Sequence, residues 1–256
     1  MAYKGLVKEF FKDNLRVLIF DSEHSMGIAD ADMIETAINS LKKQTINMVF
    51  APAVSQLYVF ENLFKKQINF NNINGFHLDE YIGLPANASE RIAIFAERYI
   101  FGRANFKNFF CMQPTENNID DEIIRYTKLL KENPLDIGVI GIGQNGHIAY
   151  NEPHEADFND KALVKRIRLD EFSINQAIDK DKIFASEKEI VYDAITMTIP
   201  AIMAAKQLFV AVPGKHKSTA VRKTLTCPIS KQCPASILRT HPNAVLFLDQ
   251  EAASEL

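Results

Sequence analysis

Short apolar runs alternate with segments of helical periodicity along most of the chain. A short apolar run bounded by polar residues predicts a β-strand, and apolar residues recurring every three to four positions predict a helix packed by one face. In the first half of the chain, the strand and helix units predicted in this way are 15–20 with 28–41, 46–51 with 57–64, and 76–78 with 92–99.

The second half continues this alternation after a helix predicted over 119–131, which Asn133 and Pro134 end. Residues 135–142 form a continuous apolar run that stops at Gly143, a pattern typical of a strand buried on both faces. Residues 151–189 are polar, and no element is assigned to them. The remaining predicted elements are strands at 194–197, 208–212 and 245–248, a helix that opens at Pro200, and a helix that includes 220–225.

Strands that alternate with helices of about 10–15 residues indicate βαβ units. We therefore predict an α/β protein with a mostly parallel central sheet and helices on both faces. No composition shift or linker divides the 256 residues, so one domain is expected over residues 1–256.

Composition and charge exclude several classes of protein. The chain is 47% hydrophobic and 24% charged, which is ordinary for a protein with a packed core. Its net charge of −3 gives no overall positive field for nucleic acid or an anionic membrane, and no run approaches the roughly 18 apolar residues of a membrane span. Three cysteines cannot all form intramolecular disulfides. We expect a soluble cytoplasmic protein with no nucleic-acid or membrane partner.

Two adjacent carboxylates, Asp79 and Glu80, follow the predicted strand at 76–78. In open α/β sheets, ligands bind beyond the carboxyl ends of the strands, so residues at these positions are candidates for chemistry. Neighbouring side chains of an extended chain point in opposite directions, so only one of the two carboxylates can face a given pocket. That carboxylate could act as a general base. The alternative is an ordinary acidic loop.

The segment GIGQNGHIAYNEP, residues 141–153, follows the predicted strand at 135–142. Its three glycines have the spacing of a dinucleotide fingerprint, but no clear helix follows to hold a pyrophosphate, so a nucleotide cofactor is not expected. The segment instead offers His147 and Glu152, five residues apart, for proton transfer near neutral pH. A buried structural histidine is the alternative.

Two further turns between a strand and a helix could hold an anion. Ser55, within residues 51–56, could cap the following helix, and a helix start of this kind also attracts anions. The turn at 212–218 carries Lys215 and Lys217, which could bind a phosphate. The alternative there is a solvated basic turn.

Four motifs resemble those of the glucosamine-6-phosphate and galactosamine-6-phosphate deaminase/isomerases, which are relatives of the 6-phosphogluconolactonases. The resemblance covers nearly the whole chain, and the Asn-Glu-Pro ending at 151–153 is the deaminase form. It implies a three-layer, Rossmann-like α/β fold and conversion of a 2-amino-2-deoxyhexose 6-phosphate into a ketohexose 6-phosphate and ammonia. It implies no metal and no organic cofactor. The motifs are LDEYIGLP (78–85), GIGQNGHIAYNEP (141–153), PGKHK (213–217) and PASIL (234–238).

The resemblance also implies residue roles. Asp79 would move a proton between C2 and C1 of the sugar, His147 would open the sugar ring, and Glu152 would hold and polarise the imidazole of His147. Lys217 and the turn at Ser55 would bind the phosphate. We also place Asn145 among the catalytic residues, and Glu80 and Gly146 among the substrate-binding residues.

Three departures from the family pattern bear on these expectations. Most deaminases carry aspartate where this chain has Asn145, and the galactosamine-type members carry asparagine, which favours that branch and predicts a lower pKa for His147. Residues 52–54 replace the usual Thr-Gly-Gly or Thr-Gly-Ala before the phosphate turn. The phosphate-binding arginine of the family has no counterpart within residues 169–176.

Two other functions remain open on the sequence alone. One is hydrolysis of a sugar lactone, with His147 acting on water, and the other is binding of a sugar phosphate without catalysis. Ammonia release distinguishes the deaminase from both. The family includes monomers and hexamers, so a homo-oligomer is one alternative for the assembly.

Overall fold

The computed structural model describes residues 3–171, 173–174 and 191–256. The strands are β1 (Leu6–Lys12), β2 (Leu15–Phe20), β3 (Ile46–Phe50), β4 (Ile73–His77), β5 (Asp79–Tyr81), β6 (Asn108–Phe110), β7 (Ile137–Ile140), β8 (Val164–Arg168), β9 (Asp193–Met197), β10 (Gln207–Val212) and β11 (Ala244–Asp249). The helices are α1 (Glu23–Ser40), α2 (Leu57–Leu63), α3 (Ile92–Tyr99), α4 (Ile119–Glu132), α5 (Ile199–Met203) and α6 (Ser218–Thr226).

Eight of these strands form a central sheet in the order β1-β2-β11-β10-β7-β3-β4-β6. Only β1 is antiparallel to its neighbour, and the other pairs are parallel. The mostly parallel sheet predicted from the sequence is therefore confirmed. On one side of β7 lie β3, β4 and β6, and on the other lie β10 and β11, so the order of the strands reverses between β3 and β7. A reversal of this kind opens a crevice at the carboxyl ends of the central strands.

Side chains of the central strands alternate between two hydrophobic cores, one on each face of the sheet. In β10, Leu208, Val210 and Val212 enter one core, whereas Phe209 and Ala211 enter the other. Residues of α4, α5 and α6 complete the first core, and residues of α1, α2 and α3 complete the second. Strands buried on both faces are continuously apolar, which is why the sequence pattern predicted these three layers correctly.

A second, three-stranded antiparallel sheet in the order β5-β9-β8 was not predicted. The predicted strand at 194–197 exists, but it pairs with β5 and β8 rather than joining the central sheet. β8 lies in the polar segment that was left unassigned, because it alternates buried residues with charged ones. Much of the remainder of that segment, residues 175–190, lies outside the described residues.

The edge strands β1 and β6 were also missed. β1 is mostly solvent-accessible and carries three charged residues, and β6 has only three residues. Neither therefore has the dense apolar run that identifies a central strand. No helix in the described part of the chain has the length and apolar character that crossing a membrane requires.

Asp30 is an unusual feature of the core beside α1. Its side chain is fully buried, and neither carboxylate oxygen has a hydrogen-bond partner among the described residues. Burial raises the pKa of Asp30 well above its ordinary value. Because the folded protein holds this proton more tightly than the unfolded chain does, the free energy of unfolding is highest below the pKa of an unfolded aspartate. It falls as the pH rises from that value toward the higher pKa of the folded state.

We expect Asp30→Asn to raise the free energy of unfolding at pH 8 by about 1–3 kcal/mol, because asparagine does not titrate and therefore removes the cost of keeping a buried carboxyl group protonated at a pH where an unfolded aspartate is ionised. The gain should shrink as the pH falls toward 4. Urea denaturation at pH 5 and pH 8 measures both effects. The matched control is Asp32→Asn, because Asp32 lies on the same helix but is partly exposed and bonded to Lys66. An equal gain at both pH values would contradict this account of Asp30.

Candidate active site

A cleft of about 670 Å³ lies at the carboxyl ends of β3, β4, β7 and β10. The loops that follow these four strands supply most of its wall, as expected at a reversal of strand order. Four of the residues singled out in the sequence line this one cleft, although they are far apart along the chain: Ser55, Asp79, His147 and Lys217.

Asp79 is the first residue of β5 and is 8% exposed. Burial raises the pKa of Asp79 to about 8, and the negative charge of Glu80 adds to this effect. A carboxyl group with a pKa near the working pH can accept and return a proton within one catalytic cycle. The position and the pKa of Asp79 suit it to general base chemistry.

Glu80 points away from Asp79 and does not line the cleft. Its Oε1 accepts hydrogen bonds from the backbone N–H groups of Tyr81 (2.9 Å) and Ile92 (3.0 Å), and its Oε2 accepts one from Ala93 (2.9 Å). Ile92 and Ala93 open α3, so the carboxylate satisfies otherwise unbonded donors at the start of that helix. The opposite orientation of the two carboxylates is confirmed, but the structure does not bring Glu80 into contact with a substrate in the cleft.

His147 lies directly over Gly143 at the exit of β7. A Cβ atom on Gly143 would be 2.1 Å from Nε2 of His147, so only glycine leaves room for the imidazole. The N–H of Gly143 donates to the carbonyl of His147 at 2.9 Å and holds the loop in this form. Burial and the nearby positive charge of Lys217 lower the pKa of His147 to about 3. The imidazole is therefore neutral near pH 7 and carries one N–H donor and one acceptor nitrogen.

Glu152 and Asn145 lie outside the cleft lining and reach the imidazole through other residues. Ser173 Oγ is 3.4 Å from Nδ1 of His147, and the N–H of Ser173 donates to Asp170 Oδ1 at 2.8 Å. The N–H of Asp170 in turn donates to Glu152 Oε2 at 2.8 Å. The sequence predicted a direct contact between Glu152 and the imidazole of His147. Among the described residues, the two are instead connected by hydrogen bonds through Asp170 and Ser173.

Asn145 is bonded at both ends of its amide. Its Nδ2 donates to Asp170 Oδ2 at 3.3 Å, and its Oδ1 accepts the backbone N–H of His147 at 3.1 Å. Glu152 lies on the other side of Asp170. Its pKa is raised to about 7, chiefly by burial and also by the negative charge of Asp170, although hydrogen bonds to the carboxylate act in the opposite direction. The two acids and the amide therefore form one polar group behind the imidazole.

We expect Asn145→Asp to raise the pKa of His147, because added negative charge in this group favours the imidazolium form. In the unchanged protein His147 should not titrate between pH 5 and pH 9. NMR titration of ¹⁵N-labelled histidines measures the pKa, with His147→Gln to assign the resonance. Asn145→Ala removes the amide without adding charge and should give no upward shift. An unchanged His147 resonance in Asn145→Asp would contradict the prediction.

The two predicted phosphate turns differ in how well the structure agrees with them. Lys217 ends a short turn of helix, Lys215–Lys217, that follows Gly214, whose φ of +88° suits glycine. The ammonium group of Lys217 belongs to a residue that is only 5% exposed and lines the cleft. The predicted strand, tight turn and helix start are confirmed there.

Ser55 is not the helix cap that the sequence suggested. It lies in the middle of a helical turn, Val54–Gln56, and no side chain among the described residues caps α2, which begins after Gln56. Ser55 nevertheless lines the cleft.

Gly146, which the sequence placed among the substrate-binding residues, does not line the cleft. A Cβ atom there would be 2.8 Å from Cys233 Sγ, and its φ is +89°, so this glycine allows the loop to turn and pack on its neighbour.

Tyr150 and Arg98 also line the cleft and were not singled out from the sequence. The hydroxyl of Tyr150 donates to that of Tyr81 at 2.7 Å. Arg98 lies on α3, three residues after Phe95, which also lines the cleft. Residues three apart share one face of a helix, so this spacing could have identified Arg98. Arg98 thus adds an arginine to the cleft from outside residues 169–176, where the sequence offered none.

The family model for glucosamine-6-phosphate isomerases and 6-phosphogluconolactonase matches residues 23–247. The chain belongs to this family. The resemblance stated from the motifs is thereby confirmed. Within the glucosamine-6-phosphate isomerase/6-phosphogluconolactonase family, the chain is similar to the glucosamine-6-phosphate deaminase of Bacillus cytotoxicus, with 32% identity over 94% of this chain and 88% of that protein. It is similar to that of Listeria monocytogenes serotype 4a, with 33% identity over 88% of this chain and 93% of that protein.

Solved structures of the same family share the fold. A monomeric glucosamine-6-phosphate deaminase superposes with a TM-score of 0.84 at 27% identity, over 94% of this chain and 99% of that one. The 6-phosphogluconolactonase from Trypanosoma brucei gives 0.74 at 18% identity, over 94% and 98%. The second comparison concerns the fold alone.

Proposed function

We propose that this protein converts a 2-amino-2-deoxyhexose 6-phosphate, of the gluco or galacto configuration, into a ketohexose 6-phosphate and ammonia. The observation that carries the proposal is the presence of Asp79, a buried carboxyl group with a pKa of about 8, in the same cleft as a neutral imidazole and a buried lysine. Similarity to two glucosamine-6-phosphate deaminases supports the same reaction class.

The reaction begins with ring opening, for which His147 is the proton carrier. A neutral imidazole can take the proton of the C1 hydroxyl at one nitrogen and release a proton toward the ring oxygen. The hydrogen-bonded group of Ser173, Asp170 and Glu152 positions this imidazole from outside the cleft. Glu152 is therefore a positioning residue in this proposal.

Asp79 then carries out the isomerisation. Its carboxylate takes the proton from C2 of the open-chain amino aldehyde, in its ammonium form, and returns it to C1, while one ammonium proton passes to the C1 oxygen. The product is a C1 alcohol and a C2 iminium. Water adds to the iminium, its proton passes to the nitrogen, and ammonia leaves as ammonium while the C2 ketone forms. A fixed base close to both carbons makes each transfer effectively intramolecular.

The phosphate of the substrate would bind at Lys217 and the turn that contains Ser55. Both residues line the cleft together with Arg98. A buried ammonium group binds a phosphate dianion strongly because little water screens the pair. The residues at 52–54 line the cleft as well, so the altered loop forms part of this predicted phosphate site.

The test is ammonia release from purified protein with glucosamine 6-phosphate and with galactosamine 6-phosphate. Production of ammonia and a ketohexose 6-phosphate from either sugar supports the proposal. Hydrolysis of 6-phosphogluconolactone without ammonia release would favour the lactonase alternative. A ligand-dependent rise in melting temperature without turnover of any of the three would indicate a non-catalytic binder.

The pKa values of the cleft residues predict the pH dependence. Asp79 must be ionised to act as a base, so we expect kcat/KM to rise with pH up to about 8 and then to level off. His147, with a pKa of about 3, should cause no further rise or fall of kcat/KM between pH 5 and pH 9. The measurement is kcat/KM over that range, corrected for the pH dependence of inhibition by a non-reacting hexitol 6-phosphate. A profile that is flat from pH 5 to pH 8 would contradict the assignment of Asp79.

A further inference from the structure

Three side chains capable of ligating a metal ion converge beside the cleft: Glu152, His154 and Asp170. Each offers one ligand atom, and any two of these atoms lie within 4.8 Å of each other. His154 has no part in the proposed reaction and does not line the cleft. Glu152 and Asp170 position the imidazole of His147 in the proposed reaction, but that reaction does not require His154 or a bound metal ion.

The imidazole of His154 is oriented with one nitrogen available to this group. Its Nε2 is 3.0 Å from the carbonyl oxygen of Arg168. A carbonyl can only accept a hydrogen bond, so in the neutral ring Nε2 carries the hydrogen and Nδ1 is the nitrogen that can bind a metal ion. Nδ1 is 3.8 Å from Glu152 Oε2. A hydrogen bond that fixes the second nitrogen in this way is the usual arrangement of a metal-binding histidine.

Glu152 supplies a second, independent indication of a ligand. Its side chain is fully buried; Oε2 accepts the N–H of Asp170, whereas Oε1 has no hydrogen-bond partner in the described part of the chain. A buried carboxylate oxygen without a partner is costly, and a carboxylate can bind a cation through either or both oxygens. Asp170 places a second carboxylate next to it, and a cation would relieve the repulsion between the two.

We propose that Glu152, His154 and Asp170 bind one divalent transition-metal ion of the zinc type. One imidazole nitrogen with two carboxylate oxygens is a ligand set that zinc, cobalt(II) and manganese(II) accept. At bond lengths of about 2.0–2.2 Å, tetrahedral ligand atoms lie about 3.3–3.6 Å apart, so the 3.8 Å between Nδ1 of His154 and Oε2 of Glu152 needs only a small closure. The side chain of His154 is 47% exposed, which gives the ion a path to the site and leaves room for water as a fourth ligand.

The bound ion acts as an inhibitor in this proposal. Asp170 and Glu152 connect to the imidazole of His147 through Ser173, so an ion that holds both carboxylates restricts the group that positions the imidazole. This consequence depends on the proposed function. The existence of the metal site does not, because its test measures binding.

The experiment uses the full chain, stripped of metal with a chelator and titrated with cobalt(II), whose visible absorption reports its coordination. We expect one equivalent to bind and to be displaced by zinc. His154→Gln should weaken zinc binding by about tenfold or more, and Asp170→Asn should weaken it in the same direction. The matched control is His24→Gln, because His24 is an exposed histidine on α1 and lies outside the group. Its zinc affinity should be unchanged.

Two results would overturn the proposal. One is the absence of cobalt binding to the unchanged protein up to millimolar concentrations. The other is an equal loss of affinity in His154→Gln and His24→Gln, which would indicate weak binding to surface histidines. Either result would leave the ammonia assay unaffected, so failure of the metal site and failure of the proposed function are distinguishable.

Discussion

Replacing Asp79 by asparagine is expected to lower kcat for ammonia release by about 10²- to 10⁴-fold, the usual contribution of a general base. Asparagine keeps the shape of the carboxyl group but cannot take the proton from C2. Burial raises the pKa of Asp79 to about 8, so the carboxyl group is largely protonated at pH 7 in the free protein. A neutral amide therefore fits the same surroundings, and the fold should be retained. Steady-state ammonia release at pH 8 measures the loss.

Ligand binding distinguishes loss of the base from loss of the site. Asp79→Asn should keep the rise in melting temperature that the hexosamine phosphate produces in the unchanged protein. Glu90→Gln is the matched control, because Glu90 is another acid that lines the cleft but is not placed in the reaction. It should lose less than about tenfold in kcat. Equal losses in the two variants, or full activity in Asp79→Asn, would end the assignment of Asp79 as the base.

Gly143→Ala is expected to lower kcat by about 10²-fold or more through displacement of the imidazole. The new methyl group would lie 2.1 Å from Nε2 of His147 and 2.3 Å from its Cδ2, so the ring must move. Misplacement of a catalytic group by about 1 Å can cost about 10²-fold in rate. The clash should also lower the free energy of unfolding by about 1–3 kcal/mol, as overpacking does in a buried site. Steady-state kinetics and urea denaturation measure the two effects.

The same substitution two residues earlier is the control. A Cβ atom on Gly141 would lie 3.0 Å from Nε2 of Gln56, the end of a flexible side chain, and 3.5 Å from the carbonyl of Ala211. Gly141→Ala should therefore lose much less activity than Gly143→Ala. If the two variants have the same kcat, the contact between residue 143 and the imidazole is not the reason that residue 143 is glycine.

The central sheet and the cleft were predictable for different reasons. Central strands such as β10 are apolar on both faces, which produces continuous runs that a sequence shows directly. The cleft residues follow these runs, and strand ends on one edge of a parallel sheet meet in space. Asp79, His147, Ser55 and Lys217 were found in this way. The family resemblance gave the reaction class that composition and spacing alone left open.

The sequence was least informative where a side chain acts through a distant partner. Both Asp79 and Glu80 are acids at a strand end, and only the position of α3 decides that Glu80 bonds to the helix start. The link between Glu152 and His147 passes through Asp170 and Ser173, which lie about twenty residues farther along the chain. No local pattern encodes such a connection.

By itself, the sequence determined the three-layer α/β architecture and the family, and it named candidate residues for acid–base chemistry, because strand and helix periodicities and motif composition are local properties. Only the tertiary structure decided which of those residues share a cleft, that the carboxyl group of Asp79 is buried there with a raised pKa, and why residue 143 must be glycine. These features depend on burial and on distances between segments far apart along the chain. The low dielectric of the buried cleft raises the pKa of Asp79 and keeps His147 neutral, and it exists only when the strand ends come together.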